Sequence, residues 1–213
     1  EKKNNKKLCE YNPEQLNISF NRNLYFEGYF QSEKYYRLDI KNILKEFTFN
    51  NNIINQKNSI IEDIKKSNSV SIHLRENKFL KDEGHKNLDE LNYAFKKNNI
   101  SIIKKGIEYF DKNIEDPKYF IWSKDMSEIE SLFKSKKYVL VDQNFDKDAA
   151  YDLYLMSLCK HFILSPSTMH YWGAFLSTYS KKICVSPPQD LNTSGYYGFS
   201  NNKDIKADWW RDI

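Results

Sequence analysis

The chain has 213 residues, 40% of them hydrophobic and 15% aromatic, so it is long and apolar enough to build a packed core and is not disordered overall. Its net charge of +4 mildly favours anionic partners. Because 33 basic and 29 acidic side chains are interspersed along the chain, the charge pattern argues against a nucleic-acid-binding groove, and we expect no nucleic-acid partner.

The three cysteines, Cys9, Cys159 and Cys184, are too widely spaced for a zinc site or a disulfide framework. Cys159 and Cys184 lie in apolar surroundings typical of core thiols, which indicates a reducing compartment. No apolar run approaches the length of a membrane span, and no signal peptide is evident. We therefore expect a cytoplasmic protein and leave open a peripheral association with the inner face of the membrane. The first residues are not a natural initiator, so we expect part of a longer protein.

The first third of the chain predicts few regular elements. Residues 1–23 are polar and indicate a tail or loop, and residues 24–36 indicate a short strand followed by a glycine-containing turn. Apolar spacing predicts helices over 37–47 and 58–66, then a buried strand over 69–74. A long polar loop is predicted over 76–97.

Helices and strands alternate after this loop. The predicted helices cover about 100–113, 127–133, 146–158 and 165–178, and the predicted strands 119–122, 138–141, 161–164 and 182–185. Such alternation with short connections predicts an α/β fold, with one Rossmann-like parallel sheet of about five strands within 69–186. Trp209 and Trp210 in the remaining tail are expected to pack back on the body.

Arg75 carries the strongest single signal. Only four of the 33 basic residues are arginine, so an arginine used against that bias indicates a geometric role, such as a bidentate grip on phosphate. Arg75 ends the strand pattern, and His73 two residues earlier points the same way. Because ligands of open α/β sheets bind outside the carboxyl ends of strands, we expect an anion here, with a nucleotide diphosphate favoured. The alternative is a solvated arginine that begins a surface loop.

The segment Ser165–Thr168 lies directly before a predicted helix. Free N–H groups at a helix start carry partial positive charge, and the hydroxyls of Ser165, Ser167 and Thr168 add donors, which suits an anion. Ordinary N-capping by Ser165 or Ser167 is the alternative, and the local sequence favours it. His170, one turn into this helix, could reach the same ligand or could be structural.

Asp125 follows the predicted strand 119–122. Its carboxylate could accept N–H groups from a guanine edge, could bind a ribose hydroxyl, or could cap the next helix. The sequence contains no metal-ligand pattern of the DxD, HExxH or Cys/His type. It also lacks a Walker loop and a GxGxxG fingerprint.

Five segments follow a known pattern in the same order. They are the Gly-Tyr-Phe-Gln-Ser-Glu-Lys-Tyr run within 24–36, the His73-x-Arg75 segment in 70–79, the region 117–125, Asp-Leu-Tyr-Leu-Met-Ser-Leu-Cys-Lys-His at 152–161, and 165–176. Together they resemble glycosyltransferase family 11, the α-1,2-fucosyltransferases. The chain departs from the family motif HxRRGDY, because Glu76, Asn77 and Lys78 replace its second Arg, its Gly and its Asp.

The resemblance implies a GT-B-like fold and metal-independent, inverting transfer of L-fucose from GDP-L-fucose to a galactose hydroxyl of a glycan. By this resemblance Arg75 would hold the donor pyrophosphate, with His73 near the nucleotide. Asp125 would read the guanine, and Ser167 and Thr168 at the helix start would bind phosphate. The resemblance also implies a remnant of an acceptor-side domain over 1–68, a donor domain over 69–188 and a tail over 189–213.

An inverting transfer commonly needs a carboxylate base near the acceptor hydroxyl. The loop after Arg75 offers Glu76, Asp82 and Glu83, of which Glu83 is the first candidate and Asp82 the second, with solvated loop charge as the alternative for each. Two other functions stay open: a glycosyltransferase of the same fold that uses another nucleotide sugar, and a domain that binds GDP-sugar or glycan without turnover.

Overall fold

The computed structural model describes residues 11–17, 23, 25, 32–55, 58–75, 87–124, 126–135, 137–141, 149–187 and 206–213. The chain divides into two compact units. The first unit comprises residues 1–48 and 188–209, and the second comprises residues 49–187 and 210–213. The sequence-based division at residues 68 and 188 concerns function and stays a prediction.

The first unit joins two distant parts of the chain through the buried carboxylate of Glu33. Its oxygens accept hydrogen bonds from Arg37 Nη2 at 2.8 Å and from Trp209 Nε1 at 2.9 Å. Arg37 also pairs with Asp208. The helix predicted over 37–47 begins as a 3-10 turn, and the α-helix proper, α1, spans Ile40–Glu46.

The second unit is a six-stranded parallel sheet with helices in its connections. The strands are β1 (Asn68–Leu74), β2 (Pro117–Ser123), β3 (Tyr138–Leu140), β4 (His161–Ile163), β5 (Ile183–Ser186) and β6 (Trp210–Asp212). The helices are α2 (Asn51–Ile54), α3 (Ser59–Lys66), α4 (Leu88–Asn113), α5 (Met126–Leu132), α6 (Ala149–Leu158) and α7 (Thr168–Leu176). The strand order is β3-β2-β1-β4-β5-β6, the order of a doubly wound Rossmann fold. The predicted α/β class is therefore confirmed.

One face of the sheet buries the apolar stripe of α4. Val70, Ile72 and Leu74 alternate along β1 and share a core cluster with Ile103 and Phe110 of α4, all of them nearly or fully buried. The helix can approach the sheet this closely because it carries Gly106. A Cβ atom at this position would lie 2.5 Å from Cγ2 of Ile163 in β4.

Helices α6 and α7 pack on each other at a similarly close approach. Gly173 of α7 leaves room for Met156 of α6, since an added Cβ would lie 2.8 Å from Met156 Cβ. Lys182 Nζ donates to two carbonyls at the end of α7, those of Ala174 and Ser177, at 2.6 and 2.9 Å. These contacts fix α7, whose first turn forms part of the candidate site.

One sequence-based expectation is wrong, and one strand was not anticipated. The polar loop expected over 76–97 is helical from Leu88 onward, because α4 starts there with Asp89 and Glu90 in its first turn. The five strands predicted within 69–186 are present as β1 to β5, and Trp210–Asp212, outside that range, adds a sixth strand by pairing with β5. Among the described helices, none combines the length and the apolar character that a membrane span requires.

Candidate functional site

The strand order places the candidate site between β1 and β4. Chain connections run outward in opposite directions from these two neighbouring strands, so a crevice opens beyond their carboxyl ends. Strand β1 ends at Leu74 and β4 at Ile163. The structure therefore brings two segments of candidate residues to one edge of the sheet: His73 and Arg75 from the first strand, and Ser165 through His170 from the second.

A column of buried polar side chains lies on the face of β1 opposite to α4. Ser69, Ser71 and His73 alternate with the apolar core residues, and each is at most 7% exposed. Ser69 Oγ accepts the backbone N–H of Lys160 at 3.1 Å, and Ser71 Oγ lies 3.1 Å from His170 Nε2. Polar groups in a sheet interior are costly unless they are hydrogen-bonded, and here these two are.

His73 is held by the two serines that precede α7. Its Nδ1 lies 2.9 Å from Ser167 Oγ, and its backbone carbonyl accepts a hydrogen bond from Ser165 Oγ at 2.5 Å. Ser167 is also the N-cap of α7, because its hydroxyl oxygen accepts the backbone N–H of His170 at 3.3 Å. Both serines are buried. The N-capping predicted from the sequence for Ser165 or Ser167 is therefore observed at Ser167. Thr168, the first residue of α7, is exposed.

Both imidazoles of the site are neutral near pH 7. Burial, together with the nearby charge of Arg75, lowers the pKa of His73 to about 4. Burial and the neighbouring His73 ring, whose centroid is 6.0 Å away, hold the pKa of His170 well below its usual value. Among the described groups named above, Arg75 and the start of α7 therefore contribute positive charge at this edge of the sheet, while His73 and His170 contribute hydrogen-bonding groups.

Arg75 is the first residue after β1, and it is exposed. Its backbone carbonyl accepts a hydrogen bond at 3.0 Å from Asn99 Nδ2, which lies on the buried face of α4. The polar run around Asn99 is typical of a surface, so the local sequence did not indicate a role for this residue. The recurrence of buried residues every three or four positions along α4, from Phe95 to Phe110, is the signal that places Asn99 inside.

Three candidates lie outside the described residues: the base candidates Asp82 and Glu83, and the guanine-reading candidate Asp125. Within the described residues, no group of three or more His, Cys, Asp or Glu side chains converges as a metal site would require. Metal independence stays a prediction. Cys159 and Cys184 are buried, and burial raises the pKa of both thiols, as expected of core cysteines.

Comparison with known proteins decides the family. The model of glycosyl transferase family 11 matches residues 1–210, nearly the whole chain. The chain belongs to glycosyl transferase family 11. Its six-stranded parallel sheet with intervening helices is in accord with the expected GT-B-like architecture.

Two curated proteins from Escherichia coli are similar to this chain. The "O-antigen biosynthesis glycosyltransferase WbnK" is 29% identical over 110 residues, which cover 51% of this chain and 34% of the relative. The "Alpha-1,2-colitosyltransferase" is 25% identical over 177 residues, which cover 81% of this chain and 58% of the relative. The matches thus span about a third and just over half of these relatives' lengths. No solved structure matches the chain.

Proposed function

We propose that this chain is the donor-binding part of a glycosyltransferase that moves L-fucose from GDP-L-fucose to a galactose hydroxyl of a glycan, forming an α-1,2 linkage with inversion and without a metal. One observation carries the proposal. Arg75 and the first turn of α7 lie at the switch point of a Rossmann-like sheet, in a chain of glycosyl transferase family 11. That crevice is where such a sheet binds a nucleotide, and these groups supply the positive field that a diphosphate needs.

The proposed chemistry is a single displacement at C1 of the fucose. The acceptor hydroxyl oxygen attacks C1 from the face opposite GDP, the bond from C1 to the β-phosphate oxygen breaks, and GDP departs with the bonding electrons. The acceptor proton passes to a carboxylate, for which Glu83 and then Asp82 are the candidates. Arg75 and the N–H groups at the start of α7 stabilise the charge that develops on the departing GDP.

The neutral state of His73 fits this division of roles. A buried imidazole with a pKa of about 4 brings no charge to the diphosphate at neutral pH. Its bond to Ser167 and the bond from Ser165 to its carbonyl instead connect the end of β1 with the start of α7. We propose that His73, Ser165, Ser167 and His170 give the donor crevice its shape, that Thr168 contacts phosphate, and that Asp125 reads the guanine.

A second candidate function is supported by the name of one relative. The alpha-1,2-colitosyltransferase is named for a sugar other than fucose, so a nucleotide sugar other than GDP-fucose is the main alternative donor. The name of the other relative refers to O-antigen biosynthesis, which makes a bacterial surface polysaccharide the acceptor class that we propose. A domain that binds GDP-sugar or glycan without turnover is the remaining alternative.

The test is to measure GDP released from GDP-fucose, with and without a galactoside acceptor, with UDP- and ADP-sugars and a colitose nucleotide run in parallel. Acceptor-stimulated release from GDP-fucose alone supports the proposal. Turnover only with another donor keeps the site and replaces the sugar. Tight GDP binding without release from any donor supports the non-catalytic alternative, and failure to bind GDP at all contradicts the proposed site.

A further inference from the structure

Asn99 is a buried amide on the apolar face of a helix. It is 0% exposed, and its neighbours on this face of α4 are Phe95, Ile102 and Ile103, all buried. A polar side chain in such surroundings is unfavourable unless its hydrogen bonds compensate for the lost water. The amide therefore needs a partner that accounts for its presence.

Only one half of the Asn99 amide has such a partner among the described residues. Its Nδ2 donates to the backbone carbonyl of Arg75 at 3.0 Å, while its Oδ1 is buried without a hydrogen-bond partner. Because the unpaired oxygen destabilises the fold, a leucine of similar size would be the less costly choice for the core alone. The bond to Arg75 is what asparagine provides and leucine cannot.

The hydrogen bond from Asn99 to the Arg75 carbonyl lies just beyond the last residue pair of β1 and β2. The register of β1 with β2 ends at the pair Leu74 and Ser123, one residue before Arg75. The hydrogen bond from Asn99 continues the restraint past that point and fixes the orientation of the peptide group that follows the Arg75 side chain. Helix α4 thus restrains the backbone from which the guanidinium extends.

We propose that Asn99 is a positioning residue for Arg75, holding its backbone so that the guanidinium is aimed at the donor diphosphate before the nucleotide binds. The inference rests on the proposed function, in which Arg75 binds that diphosphate. A pre-ordered arginine loses less conformational freedom on binding, so the bond contributes to affinity without any contact between Asn99 and ligand.

The experiment is a double-mutant cycle on GDP affinity, measured by isothermal titration calorimetry with the full chain. The proteins are the unaltered chain, Asn99→Leu, Arg75→Ala and the double variant. We expect Arg75→Ala to weaken GDP binding at least tenfold and Asn99→Leu to weaken it roughly fivefold. Because Asn99 acts through Arg75, the double variant should bind within about twofold of Arg75→Ala alone.

A matched control separates positioning from loss of stability. Ile103→Val shortens a fully buried side chain on the same helix, one turn further along, and should lower the melting temperature while leaving GDP affinity within about twofold of the unaltered chain. If Asn99→Leu does not yield folded protein, Asn99→Ala enters the same cycle.

The outcomes distinguish failure of the inference from failure of the proposed function. Unchanged GDP affinity in the Asn99 variant, or losses that multiply in the double variant, would overturn the positioning role while leaving Arg75 as a ligand. Unchanged affinity in Arg75→Ala would overturn the proposed phosphate role, and the inference with it.

Discussion

Replacing Ser167 with alanine removes a hydroxyl that the structure uses twice. Its oxygen accepts the His170 backbone N–H at 3.3 Å as the N-cap of α7, and it lies 2.9 Å from His73 Nδ1. Loss of a cap costs about 1 kcal/mol, and loss of a partner for a buried polar group costs about 1–3 kcal/mol. We therefore expect Ser167→Ala to lower the free energy of unfolding by roughly 2–4 kcal/mol, and the melting temperature by roughly 5–15 °C for a chain of this size.

The assay is urea unfolding followed by tryptophan fluorescence, with GDP affinity measured on the same preparations. Ser177→Ala is the matched control, because Ser177 is a buried serine at the other end of α7. Its Oγ donates a single hydrogen bond, to the carbonyl of Cys159 at 2.8 Å. The control removes the partner of one buried carbonyl but no N-cap, so it should lose about 1 kcal/mol less stability than Ser167→Ala.

One result would refute this reasoning. If Ser167→Ala loses no more stability than Ser177→Ala and yet fails to bind GDP, the Ser167 hydroxyl is a ligand-binding group rather than a cap. Thr168→Ala provides the converse test, because Thr168 is exposed at the start of α7 and should affect stability by less than about 0.5 kcal/mol. Reduced GDP affinity in that variant would support Thr168 as the hydroxyl that contacts phosphate.

Three further predictions follow from other contacts. Arg75→Lys should lower turnover at least tenfold, a loss of about 1.4 kcal/mol or more of transition-state stabilisation, because lysine cannot supply bidentate geometry. The melting temperature should not change. An unchanged turnover rate would exclude the phosphate role of Arg75. Gly106→Ala should lower the free energy of unfolding in urea by about 1–3 kcal/mol, because the added Cβ would lie 2.5 Å from Ile163 Cγ2. Ser101→Ala, on the exposed face of α4, should leave the free energy of unfolding unchanged. The free energy of unfolding should fall as pH drops from about 6.5 to about 4, because folding lowers the pKa of His73 from 6.5 to about 4 and the unfolded chain therefore binds an extra proton in that window. His73→Gln should show a shallower decline with pH. An equally steep decline in that variant would contradict the assignment of this pH dependence to His73.

The sheet and its edge were the most predictable parts of the structure. Four short apolar runs after residue 99 predicted β2 to β5, because a strand buried on both faces has a continuous apolar pattern. Parallel strands end at a common edge, so His73, Arg75 and Ser165 through His170 were expected there, and the structure places them there. Strand β6 was missed, because Trp-Arg-Asp has no apolar run and becomes a strand only by pairing with β5.

Contacts between distant residues set the limit of prediction. His73 and Ser167 are 94 positions apart, and periodicity carries no information about which serine reaches which histidine. Asn99 lies in a run of lysines and asparagines that is locally typical of a surface. Only the packing of α4 against the sheet places its amide inside, next to the carbonyl of Arg75.

The hydrogen bond between Glu33 and Trp209 has a consequence for the order in which the molecule can be assembled during translation. Trp209 completes the first unit, and Trp210 begins the last strand of the second unit. At a synthesis rate of about 5–20 residues per second, Glu33 leaves the ribosome on the order of ten to thirty seconds before its partner exists. During that interval its carboxylate remains without the indole N–H, and β5 lacks its outer neighbour. A nascent chain stopped at residue 205 would lack both Trp209 and β6, so the synthesis of the short segment 206–213 supplies the missing contacts of both units together.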